Sequence, residues 1–258
     1  RRRPFTGRLV APYRLDCAIT YQTRQPSAEE VAPLERVTHE LTTADWMYII
    51  DKAWANGIPH IVFTGGEPTL RKDLPDLIER AEKNGQIAGV LTDGCSLVEP
   101  GYLEKLLQTG LDHLMIVFNP DIPESLQGLE QALAADIFVA VHLTLEPGNF
   151  ETIRRLIDQF SKRGVKAISI SASDASLRTE VTKLREQIAE CGLELVWNLP
   201  VPYSRMHPVN LELSAVASEQ SQRAWLYVEP DGDVLPQQGQ NQVLGNLLRD
   251  AWDQIWQQ

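Results

Sequence analysis

The chain of 258 residues carries 24 Lys and Arg against 35 Asp and Glu, a formal charge of -11, with 43% hydrophobic and 23% charged residues. Such a length fits one large core with at most a short appendage, and the composition is that of an ordinary soluble globular protein. The acidic balance repels a phosphate backbone, which excludes nucleic acid as an expected partner, and no apolar run approaches the roughly 20 residues needed to cross a bilayer.

Taken in chain order, the basic start Arg1 to Arg3 is followed by Pro4, Thr6, Gly7 and Arg8, where a signal peptide needs an apolar stretch, so the chain reads as cytoplasmic. It starts without Met, which fits a processed or truncated gene product. Short apolar runs at 15–21, 60–64, 87–92, 113–118, 138–145, 167–171 and 193–198 predict strands. Between them, apolar residues at three-to-four spacing predict helices at 43–56, 74–84, 100–109, 124–134, 150–163 and 177–191. Gly57, Gly85, Gly110, Gly164 and Gly192 follow five of these helices, as left-handed caps do. Past residue 198 the style changes: prolines and a Ser/Gln-rich stretch lead to Trp225, and Asp231-Gly232 between apolar runs predicts a hairpin. The segment 244–256 reads as a closing helix.

Strand and helix alternation of this kind builds a parallel sheet. The expected fold is α/β, a partial (β/α)6 barrel with parallel strands over residues 1–198, with a small β-hairpin and helix appendage over 199–258. In such sheets ligands bind beyond the carboxyl ends of the strands. The residues there include Thr64 to Pro68, Thr92 and Asp93, Asn119, His142 and Thr144, and Ser169 and Ser171.

The sharpest motif is Phe63-Thr64-Gly65-Gly66-Glu67-Pro68, where a buried strand gives way to a loop. Paired glycines let a backbone approach a small ligand, and Glu67 offers a charge for an ammonium group; a tight strand-to-helix turn explains the same residues without a ligand. Thr64 to Pro68, continued by Thr69-Leu70-Arg71-Lys72-Asp73-Leu74, resembles the GGEP segment of the radical S-adenosylmethionine (SAM) superfamily. The resemblance extends to Glu40-Leu41-Thr42-Thr43, Leu91-Thr92-Asp93-Gly94 and Gly110-Leu111-Asp112. The stretch 227–236, with Leu244-Gly245-Asn246 and Trp256, looks like the SPASM/Twitch appendages of peptide-modifying members.

What the resemblance implies is a 4Fe-4S cluster that reductively cleaves SAM, with hydrogen abstraction from a peptide or small natural product and a flavodoxin or ferredoxin as reductant. It implies a SAM pocket at Thr64, Gly65, Gly66, Glu67 and Pro68, with Thr92, Asp93, Asn119, His142, Thr144, Ser169 and Ser171 around it. Asn119 in Asn119-Pro120-Asp121 is equally a turn residue, and a strand histidine such as His142 is more often structural. His142 and Thr144 lie two apart on one strand, hence on one face.

The chain departs from the family at the cluster. A CxxxCxxC triplet is implied directly after the first strand, yet 15–21 runs straight into Gln22-Thr23-Arg24-Gln25-Pro26. Cys17 lies within the strand and reads as a small buried apolar residue. Cys95 and Cys191 lie elsewhere, and Gln237 and Gln238 follow Pro236 where members with auxiliary clusters often have cysteine. Two expectations stand: a cysteine loop missing between Tyr21 and Pro26, which is favoured, or a degenerate, cluster-free barrel that acts as a binding or scaffold protein. An ordinary barrel lyase or aldolase would need a strand-end lysine or metal triad, and neither is present.

Overall fold

A computed structural model of the chain describes residues 11–24, 37–173, 175–196, 224–238 and 242–256. The first strand, β1 (Arg14–Thr20), leads to α1 (Thr43–Ala55), and then β2 (His60–Gly65) to α2 (Leu74–Asn84). The pattern repeats as β3 (Ile87–Thr92), α3 (Tyr102–Gln108), β4 (His113–Val117), α4 (Pro123–Ala134), β5 (Phe138–Leu145), α5 (Phe150–Lys162), β6 (Ala167–Ala172), α6 (Arg178–Glu190) and β7 (Glu194–Leu195). After these come β8 (Trp225–Val228), β9 (Asp233–Leu235), β10 (Gly245–Asn246) and α7 (Trp252–Trp256). All strands join one sheet in the order β10-β9-β8-β1-β2-β3-β4-β5-β6-β7.

Neighbours from β8 through β1 to β7 are parallel, as the alternation predicts, and only β9 and β10 run antiparallel. Six strand-helix units and a short seventh strand make the expected partial barrel. The local chemistry explains the repeats: Thr42 and Asp45 form a capping box that starts α1, and Gly57, Gly85, Gly110, Gly164 and Gly192 all adopt positive φ behind their helices.

Two apolar layers sandwich the sheet. Leu15, Cys17, Ile19, Ile61, Phe63, Val90 and Ile116 pack with the helices in the larger cluster. Val62, Leu91, Met115, Ala140 and Ala167, one from each of β2 to β6, form a separate cluster on the concave face. Strand alternation then assigns each inner position: His60, Gly89 and His113 lie two residues toward the strand starts, while Thr64, His142 and Ser169 lie two toward the strand ends.

The expected closing helix over 244–256 is shorter than predicted. Gly245 and Asn246 pair with β9 instead, and the helix begins only at Trp252. The reason is local: the Asn246 side chain donates to Asp231 O at 3.0 Å and Asp233 Oδ1 at 2.8 Å, and its backbone N–H donates to Asp250 Oδ2 at 2.7 Å. These bonds hold the chain in a turn that helix geometry forbids. The predicted strand 193–198 is described only as Glu194–Leu195. The division between residues 198 and 199 lies outside the described residues, as do residues 197 and 198.

Candidate functional site

The mouth of the barrel is built where β1, β2 and β3 end. The segment after β1 runs beside the loop after β2: Gly66 N–H donates to Thr20 O and Glu67 N–H to Gln22 O, both at 2.7 Å. A Cβ at Gly65 would fall 2.1 Å from Thr20 O, and one at Gly66 would fall 2.1 Å from Gln22 O. The glycine pair thus permits close approach of the chain's own backbone at Thr20 and Gln22. Glu40 secures the end of β1, its Oε1 accepting from Thr20 Oγ1 at 2.7 Å and Tyr21 N–H at 2.8 Å. Arg71 adds bonds to Ile19 O and Leu41 O.

Glu67 is buried, and its carboxylate accepts four hydrogen bonds. Oε1 receives the Thr69 N–H, the Thr69 hydroxyl and the Thr92 hydroxyl, the last at 2.7 Å. Oε2 receives the Asp93 N–H at 2.7 Å. Burial and the neighbouring Asp93 charge push Glu67 up to about 7, against the pull of these donors. Pro68 opens the short turn Pro68–Leu70, which Glu67 caps, and Thr64 is fully buried at the end of β2.

Asp93 joins this cluster from β3. Its Oδ1 accepts from Cys95 N–H at 2.8 Å, and its Oδ2 lies 3.4 Å from Arg24 Nε. Arg24 also donates to the Ser96 hydroxyl, which lies 2.8 Å from that of Thr69. The side chains of Arg24 and Asp93 remain 32% and 25% exposed, so the pair faces the mouth while Glu67 does not. Sequence reasoning brought out Glu67, Thr92 and Asp93 but missed Arg24, Thr69 and Ser96. The available signal was position: all three fall just past a strand end.

A second polar group lies on β5 and β6. His142 Nδ1 is 3.1 Å from Ser169 Oγ, and Nε2 is 2.9 Å from Ser171 Oγ and 3.4 Å from Thr144 Oγ1. His142, Ser169 and Ser171 are buried, and Thr144 is partly so. The structure therefore joins four of the expected residues on one inner face. Asn119 sits in a turn, with Oδ1 accepting from Asp121 N–H at 2.9 Å and its N–H donating to Ser125 Oγ at 3.3 Å, and Ser125 in turn donates to Asp93 O at 2.9 Å.

The residues present do not fit an iron-sulfur cluster. Thiolate donors are required, the sequence holds three cysteines, and they do not gather. Cys17 faces the helices in the buried core, where burial and the Asp16 charge push its thiol up. Burial and Asp93 push Cys95 up to about 12, and Cys191 lies 3.6 Å from Asp158 at the end of α6. Each environment disfavours the thiolate that a metal needs. From Tyr21 to Arg24, where the cysteine loop was expected, the chain is continuous and bonded to the β2 loop, and residues 25–36, which contain no cysteine, lie outside the described residues. One group of three metal-capable residues comes together among the described residues, Glu229, Asp231 and Asp233 of the hairpin, and it offers only carboxylate oxygen. No helix among the described residues is long and apolar enough to cross a membrane.

Comparison with known proteins gives a family match over part of the chain. The family described as the radical SAM superfamily matches residues 17–119. The chain is 29% identical to a PqqA peptide cyclase of Granulibacter bethesdensis over 164 residues, 62% of this chain and 43% of that protein. It is 30% identical to the PqqA peptide cyclase of Methylobacterium nodulans over 182 residues, 64% of this chain and 48% of that one. In these matches the chain spans less than half the length of its relatives. Among solved structures, Streptococcus suis SuiB bound to S-adenosylmethionine superposes with a TM-score of 0.74 at 16% identity, covering 96% of this chain and 66% of SuiB. SuiB bound to the precursor peptide SuiA gives 0.73 at 16% identity, covering 96% of this chain and 65% of SuiB. The strand-loop-helix frame, the Gly65-Gly66-Glu67 loop and the match over residues 17–119 agree: the chain carries a radical SAM superfamily domain over those residues.

Proposed function

We propose that this chain is a cluster-free radical SAM barrel that binds SAM through its amino-acid end and serves as a binding partner for a peptide. The observation that carries the reading is the β1 end, where Arg24 bridges to Asp93 and Ser96 and the one thiol beside them, Cys95, is pushed up to about 12 by burial and Asp93, away from the thiolate that a cluster needs. A partly exposed guanidinium beside a partly exposed carboxylate presents both charges that complement an α-amino-acid zwitterion. Gly65 to Pro68, Thr92 and Asn119 would border that end of SAM, and Thr144, Ser169, Ser171 and His142 offer hydroxyl and imidazole groups for a ribose or base. The relatives support the peptide: two are PqqA peptide cyclases, and one structural neighbour is SuiB bound to precursor peptide SuiA.

A second reading keeps the family's radical chemistry, with a SPASM/Twitch-like appendage over 199–258 and a flavodoxin or ferredoxin as reductant; the peptide cyclase relatives favour it. Anaerobic iron and sulfide reconstitution followed by SAM titration separates the two. The cluster-free reading expects SAM to bind with no iron uptake, and Arg24→Ala to weaken binding about tenfold, the cost of one charge-assisted contact. Uptake of iron and sulfide with SAM cleavage overturns it and restores the radical enzyme.

A further inference from the structure

At the opposite end of the barrel, two histidines meet across a strand. His60 opens β2 and His113 opens β4, with β3 between them. The strand position that separates them is Gly89, where a Cβ would lie 2.0 Å from His113 Nε2. Only the missing side chain lets the His113 ring lie across β3 and reach His60. Their Nε2 atoms stand 3.4 Å apart, and the rings meet edge to face with centroids 5.0 Å apart.

That separation is long for a hydrogen bond, whose donor-to-acceptor distances cluster near about 2.9 to 3.0 Å. It matches two imidazoles on one tetrahedral ion, since Zn–N bonds of about 2.0 to 2.1 Å place the two nitrogens about 3.3 to 3.4 Å apart. Both atoms are Nε2, so one ion can bind both when each ring carries its proton on Nδ1. Both residues are partly exposed, which leaves room for water in the remaining positions.

We propose that His60 and His113 form a two-imidazole site for a divalent transition metal of the zinc type. Of the nearby charges, Asp112 favours a cation, while Arg14 opposes one and is itself paired with Asp16 at 2.6 Å. The site therefore belongs to the moderate-affinity class, filled by imidazole donors and solvent. It makes no use of the mouth, so it stands or falls apart from the SAM reading.

The test is Zn2+ titration of the chelator-stripped, purified full chain against a chromophoric competitor. One ion per chain is expected, with a rise in the melting temperature. His60→Ala and His113→Gln should each weaken uptake at least tenfold; the glutamine variant fills similar space and preserves hydrogen bonding, so a merely structural pair would survive it. Asp231→Asn, in the hairpin, should leave uptake unchanged. No uptake in the wild-type chain overturns the proposal. So does uptake that persists in His113→Gln or disappears in Asp231→Asn.

Discussion

The two sides of the barrel mouth hold their polar groups by different means. On the β1 to β3 side, Glu67 and Asp93 receive backbone N–H groups, and the glycine loop bonds directly to the segment after β1. On the β5 and β6 side, His142, Thr144, Ser169 and Ser171 meet through side chains on neighbouring strands. The first arrangement fixes the path of three loops. The second sits on strands that their own ladder already fixes, so its side chains can change without moving the backbone.

The strongest way to break this comparison is Gly65→Ala. The residue has φ 127, and its Cβ would strike Thr20 O, so a loss above about 4 kcal/mol is expected, at the limit of what single substitutions cost. Calorimetric melting reads it. A loss under about 1 kcal/mol would show that the β1 to β3 side yields as readily as its counterpart.

Glu67→Gln sharpens the comparison through pH. Folded Glu67 keeps its proton to about 7, whereas its ordinary value is 4.5. Below 4.5 both folded and unfolded chains are protonated there, and the residue costs nothing. As pH rises toward 7 the unfolded chain ionises first, so stability falls by up to about 3 kcal/mol. Urea unfolding across that window should show the decline in the wild type and a flatter profile in Glu67→Gln.

Ser171→Ala is the smallest test. It removes the nearer partner of His142 Nε2 and leaves Thr144 Oγ1 at 3.4 Å, so a loss of about 1 kcal/mol is expected, that of one hydrogen bond. Chemical denaturation measures it. A larger loss than that of Gly65→Ala would invert the assignment of the two sides.

Much of this frame is legible in the sequence because each unit announces itself locally. The runs at 87–92 and 138–145 and the helix at 74–84 match the structure end for end, and glycines with positive φ mark the helix ends. Cys17 is the small buried residue that its strand position suggested. The contacts of Arg24 were not legible, since its partner Ser96 lies 72 residues away and only the barrel brings them together. The surroundings of Gly65 and Gly66 were half legible: a need for close approach shows in the glycine pair, but the carbonyls of Thr20 and Gln22 that meet it come from a segment more than 40 residues earlier. The closing helix was overextended because Asn246 looks permissive in sequence and becomes a turn only through Asp231, Asp233 and Asp250.

The parallel pairing of β8 with β1 also carries a consequence for how the chain folds. Arg14 pairs with Trp225 and Cys17 with Val228, so one side of the first strand waits for partners made more than 200 residues later. Such long sequence separation slows folding. Until β8 arrives, β1 is an open edge with its ladder groups bare, and the growing chain must protect that edge from pairing with another copy.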